Sequence, residues 1–197
     1  MASMRRLAVV AGAAMVVAAG QFGVGAAEDD YSGALDRLVG LLNERLDTAD
    51  TVAAVKWEGA VRDGSEPVID DPVREQAICD AMAQLGAERN LPAGLVRQVF
   101  QGQIEASKIV QRGLVTEWRY GLVTAPVPAT DLAGVRPVID GLNVAIIDEL
   151  DRERPELTRS DCPARVAAGV LAVAGHDNLD ALHAAALVRA STPLCGS

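Results

Sequence analysis

Leu35, Leu38, Val39, Leu42, Leu46, Ala49, Val52 and Ala53 fall near helical spacing along one stretch of this chain. That is the apolar stripe of a helix, without the strict alternation of a half-buried strand. A stripe of this length must be covered, and no run of strand pattern elsewhere could cover it, so the chain is expected to fold as helices packed on helices. Two cations interrupt the apolar face. Arg45 and Lys56 are eleven residues apart, about three helical turns, so both leave the same side of the rod. Lys56 lies among Val52, Ala53, Ala54, Val55 and Trp57, which turns its ammonium toward the buried face. A buried ammonium is costly without a partner, so an anion is expected to meet it.

The remaining helices follow from their breaks. The first is expected over residues 31–62 and is ended by Asp63-Gly64-Ser65-Glu66-Pro67. Asp71 and Pro72 read as N-cap and first helical residue of a second helix reaching about residue 89. A third spans about 93–120, and a loop with Pro126 and Pro128 follows. Asp131 caps a fourth to about 154, with Pro137 an awkward interior residue. Ser160 or Asp161 opens a fifth, ending near Gly175, and Asp177 or Asn178 opens a sixth, ending near Ala190. The expected fold class is therefore all-α, a single-domain bundle of about six helices.

Residues 1–27 read as a secretory signal: Arg5 and Arg6, an apolar run from Leu7 to Ala19, and small residues before Glu28-Asp29-Asp30. The alternative is an uncleaved anchor. No other stretch is long and apolar enough to cross a bilayer. The expected mature chain, 28–197, carries 16 basic and 27 acidic residues, a balance of −11 with His neutral. Such a field excludes binding to nucleic acid or an anionic membrane through overall charge, so any anion site must be local. Export places the cysteines in an oxidising compartment. There Cys162 and Cys195 can pair around the last helical stretch, while Cys79, in EQAICDAMAQL, reads as a buried thiol. No Cys/His spacing matches a zinc site, and His176 and His183 read as solvated.

Other polar residues fall into rows. Asp71, Arg74 and Glu75 share the start of the second helix, where an exposed ion pair is the bland reading. Gln103, Ser107 and Gln111 stand at i, i+4 and i+8 beside Phe100, Ile104 and Val110, and Arg136 lies among apolar residues of the fourth helix. In order and spacing these segments resemble the secreted subclass of the all-helical chorismate mutases. The segments are ERLDTADTVAAVKW, Asp71-x-x-Arg74-Glu75, VFQGQIEASKIVQ, DLAGVRPVIDGLN and the late cysteine pair. The resemblance covers nearly all of the expected mature chain. It implies an exported enzyme, secreted or periplasmic, that converts chorismate to prephenate without metal or cofactor. It further implies that Arg45 and Arg136 bind one carboxylate end, and that Arg74 meets the other or orients the pocket. Lys56 and Gln111 would donate to the ether oxygen, and Ser107 would add a hydrogen bond. Asp71 and Glu75 would contact the substrate hydroxyl or hold the arginines. Ile78 stands where some relatives carry a polar residue and is left out of the site. In this subclass the pocket forms within one chain, so a homodimer is compatible with the site but not required by it.

The rival reading is a non-catalytic exported bundle that binds a small dicarboxylate or a protein. It would let the cations splay to solvent and pair with the abundant acids. A Ser-His-Asp hydrolase is excluded, since there is no G-x-S-x-G and no strand to carry one.

Overall fold

The computed structural model describes residue 33 and residues 35–195, and the expected signal segment lies outside them. All regular elements among the described residues are helices, with no strand among them. In chain order the helices are α1 (Asp36–Asp63), α2 (Pro72–Ala87), α3 (Ala93–Arg119), α4 (Leu132–Arg152), α5 (Arg154–Leu157), α6 (Cys162–His176) and α7 (Ala181–Ser191). A 3-10 turn, Thr192–Leu194, follows. The short α5 was not anticipated; Pro155 at its second position starts one turn that cannot continue far.

Several boundaries have a local cause. At the end of α1, Gly64 takes the left-handed φ of 66° that a side chain disfavours, and its N–H reaches the Ala60 carbonyl. The Asp71 carboxylate accepts from the Arg74 N–H at 3.0 Å, and Pro72 follows it at the first helical position. Asp131 caps α4 through Gly134 in the same way, at 2.9 Å. Helix α4 continues through Pro137. The carbonyl that proline leaves without a helical donor is Ala133's, and both residues are exposed, so water can serve it. The cap of α7 is Asp180, which accepts from the His183 N–H at 2.9 Å, and not Asp177 or Asn178. Asn178 instead turns the chain with φ 52°.

Helices α1 and α3 form the centre. α1 packs on α3, α4, α6 and α7, and α3 also covers α2 and α7. The core between them is aliphatic: Leu38, Leu42, Leu46, Phe100, Ile146, Ile147, Leu150 and Leu187 are fully buried. A smaller cluster of Ala53, Ala54, Val115 and Trp118 extends the α1–α3 seam, with Trp57 and Ile69 packed on it. Small residues let the rods approach. A side chain at Gly86 of α2 would come within 2.7 Å of Val96 on α3. The Cys162–Cys195 disulfide joins the start of α6 to the end of the terminal turn, and Cys79 is a free, buried thiol. No helix among the described residues is long and apolar enough to cross a membrane.

His183 departs from the solvated reading. Its ring nitrogens face Asp180 at 2.8 Å and Asp50 at 3.0 Å, tying the start of α7 to α1. The bond to Asp50 outweighs burial and, with Asp180, lifts its pKa to about 9. The imidazole is therefore charged at neutral pH.

Candidate active site

Helices α1 to α4 and the segment before α2 enclose a cavity of about 240 Å³. Every residue singled out from the sequence as a site candidate lines it: Arg45 and Lys56 from α1, Asp71, Arg74 and Glu75 from the start of α2, Ser107 and Gln111 from α3, and Arg136 from α4. Residues 91 positions apart in sequence thus meet at one place. Val52, Val68, Ile69, Ile104, Val135 and Ile139 supply the apolar wall, together with Ile78, the position set aside in the sequence.

Arg45 is buried, 5% exposed. Its Nε donates to Asn143 Oδ1 at 2.7 Å and its Nη1 to Gln103 Oε1 at 3.3 Å. Gln103 in turn donates to the Leu42 carbonyl. Both partners of the guanidinium are neutral. Burial lowers its pKa to about 10, partly offset by Asp140, which leaves it a cation at neutral pH. Lys56 donates to Gln111 Oε1 at 2.9 Å and, at 3.5 Å, to the Ile69 carbonyl. Burial lowers the Lys56 pKa, against the opposing pull of Asp71 and Asp70. The Gln111 amide completes the chain by donating to Ser107 Oγ at 3.0 Å. Among the described residues no carboxylate bonds the Lys56 ammonium, whose two bonded partners are neutral oxygens.

The same holds for the whole set. Among the described residues, Arg45, Lys56, Arg74 and Arg136 form no ion pair with a carboxylate. The Asp71–Arg74 ion pair of the bland reading does not form; the Asp71 carboxylate instead accepts from the Arg74 backbone N–H. Asp71 also donates its own N–H to Glu75 Oε1 at 3.1 Å. Four cations around one cavity, in a chain rich in acids, is an arrangement suited to a small, multiply charged anion.

Three residues were not anticipated at the site. Thr48 lines the cavity from α1 and bonds the Arg45 carbonyl. Asn143 aims Arg45. It stands two turns beyond Arg136 on α4, a spacing that could have flagged it. Lys108 also lines the cavity but is ion-paired with Glu105, Glu75 and Asp70 at 2.7, 3.1 and 3.3 Å. Burial opposes its charge, yet these three carboxylates raise its pKa. Ile104, Ser107, Lys108 and Gln111 stand at i, i+3, i+4 and i+7, one face of α3, so the signal was present. Among the described residues no group of three or more His, Cys, Asp or Glu is placed to hold a metal ion.

Residues 35–112 match the chorismate mutase type II family. Over 185 residues the chain is 35% identical to a secreted chorismate mutase of Mycolicibacterium smegmatis, covering 92% of this chain and 98% of that protein. A secreted chorismate mutase of Mycobacterium tuberculosis is 28% identical over 86% of this chain and 82% of its own. Among solved structures, a chorismate mutase from Burkholderia phymatum superposes with a TM-score of 0.76 at 36% identity, covering 83% of this chain and 97% of that one.

Proposed function

Because the chain belongs to the chorismate mutase family, in its secreted branch, we propose that this cavity binds chorismate and rearranges it to prephenate. The reaction is an intramolecular Claisen shift: a C–O bond breaks and a C–C bond forms within one molecule, and no proton or electron leaves it. The protein therefore needs to do two things. It must hold the two carboxylates so that the substrate stays in its compact, chair-like conformer. It must also stabilise the negative charge that grows on the ether oxygen as the C–O bond breaks.

The observation that carries this reading is the set of four cations without carboxylate partners around one cavity. Arg45 and Arg136 bind one carboxylate end of the substrate. Arg74 takes the other, held at its place by the Asp71 cap. Lys56 and Gln111 act on the ether oxygen. An ammonium has three donors, and Lys56 uses two of them on Gln111 and Ile69. The Gln111 amide has two, and one goes to Ser107. Each keeps one N–H to aim at the reacting oxygen. Glu75 and Asp71 lie where the substrate hydroxyl would approach. All these groups come from one chain, so each chain of a homodimer would carry its own complete site.

The rival binding bundle predicts cations splayed among the acids, whereas these converge on one cavity. Export follows the secreted relatives and the character of residues 1–27. The test is chorismate consumption by the chain 28–197, with prephenate identified by its acid conversion to phenylpyruvate. Saturable turnover is expected. A folded, disulfide-intact sample that does not turn over would refute the proposal.

A further inference from the structure

Lys108 is the fifth cation at the cavity and the only one of the five whose charge is fully met inside the chain, among the described residues. Its three N–H donors meet three carboxylates, Glu105, Glu75 and Asp70. It therefore has no donor left for a substrate. The three carboxylates differ in what else holds them. Asp70 is also bonded by Arg112 at 2.6 Å. Glu105 also accepts from Gln101 at 3.2 Å. Among the described residues Glu75 has, apart from Lys108, only the backbone N–H of Asp71 at 3.1 Å. Glu75 is also the one of the three that lines the cavity, beside Lys56 and Arg74, and it lies close enough to act on the Lys56 ammonium. Released from Lys108, a mostly buried carboxylate seeks the nearest available cation. Those cations are the ones proposed to bind substrate.

We propose that Lys108 is a positioning residue for the rearrangement. It holds the Glu75 carboxylate away from Lys56 and Arg74, leaving those cations to the carboxylates and ether oxygen of chorismate. The inference rests on the chorismate mutase reading of the cavity. It assigns Lys108 an effect on substrate binding through Glu75, without contact with substrate.

The experiment is steady-state kinetics with chorismate on the wild-type chain, Lys108→Met, Lys108→Arg and Lys108→Met with Glu75→Gln, each with a thermal melt. In Lys108→Met, KM is expected to rise about tenfold or more while kcat stays within about threefold, because substrate must displace Glu75 from the cations to bind and, once saturating, has done so. Lys108→Arg keeps the charge and should hold KM within about threefold of wild type. Adding Glu75→Gln to Lys108→Met removes the competing carboxylate, so KM should fall below that of Lys108→Met alone. Lys108→Gln removes the charge while keeping a donor, and replaces Lys108→Met in the comparison if that variant does not fold. An unchanged KM in the charge-free variant overturns the inference. So does a KM that Glu75→Gln fails to lower, or a lowered melting temperature with no change in KM. Wild-type turnover alongside any of these results leaves the activity standing and removes only the role of Lys108. Absence of wild-type turnover overturns the activity and this inference together.

Discussion

The bond from Arg45 Nε to Asn143 Oδ1 predicts a double cost on its removal. The bond is 2.7 Å long, and Arg45 and Asn143 are 5% and 3% exposed. A buried hydrogen bond to a charged group contributes about 1.5–3 kcal/mol, and Asn143→Ala also leaves a guanidinium N–H inside with no acceptor. For a domain of this size each kcal/mol moves the melting temperature by about 2–4 °C, so the loss should be roughly 3–12 °C. Gln103 still holds Nη1, at 3.3 Å, so Arg45 stays in the cavity but loses its aim. A misplacement of that kind should lower kcat/KM by roughly 10- to 100-fold. Asn143→Asp separates aim from charge. It keeps the acceptor and should keep stability, but it pairs Arg45 inside the chain and should weaken substrate binding. The assay is thermal melting beside chorismate kinetics on all three proteins. If Asn143→Ala melts within 1 °C of wild type and retains its kcat/KM, Asn143 does not orient Arg45 and the reasoning fails.

Other consequences can be checked with the same assays. Lys56→Ala should lower kcat by roughly 100- to 1000-fold with the fold retained, as expected for loss of a donor to developing charge; near-native kcat would remove Lys56 from the chemistry. Gln111 donates at any pH, so turnover should be flat from mildly acidic pH until Lys56 loses its proton. That loss comes below the ordinary lysine value, because burial lowers the Lys56 pKa; a steep fall between pH 5 and 7 would contradict this. Cys162→Ala with Cys195→Ala opens the cross-link between residues 33 positions apart, costing about 3–4 kcal/mol in denaturant melts and leaving KM unchanged, since neither cysteine lines the cavity. His183 has its pKa raised, so its contribution to stability is complete below pH 6.5 and is lost as pH rises through about 9. The melting temperature should fall over that window, and His183→Gln should flatten the fall.

Much of this was legible in the sequence because it is encoded locally. Asp71-Pro72, Asp131 and Gly64 announce helix ends through the backbone groups they satisfy. The stripe of α1 fixes which side of that rod faces the core. With that side known, Arg45 and Lys56 had to point inward. What a single sequence does not encode is which polar group meets which across helices. Gln103 was visible as a member of a polar row on α3, but its bond to Arg45 depends on how α3 is turned against α1. Asn143 and Lys108 are of the same kind. His183 was misread because Asp50, 133 residues away, is its second partner. Asp177 and Asn178 looked like caps by type, but only Asp180 stands where its carboxylate reaches the first turn of α7.

The missing anions around Arg45, Lys56, Arg74 and Arg136 also set a trade-off between durability and purpose. Four positive charges gathered without ion-pair partners among the described residues repel one another, and two of them, Arg45 and Lys56, also bear a desolvation cost. Each is a residue that selection for stability alone would replace, Arg45 by an aliphatic side chain and the rim arginines by acids or neutral groups. A chain so altered would be hardier, and it would have nothing with which to greet a dicarboxylate. Their presence together in an otherwise acidic protein marks where selection has favoured recognition over stability.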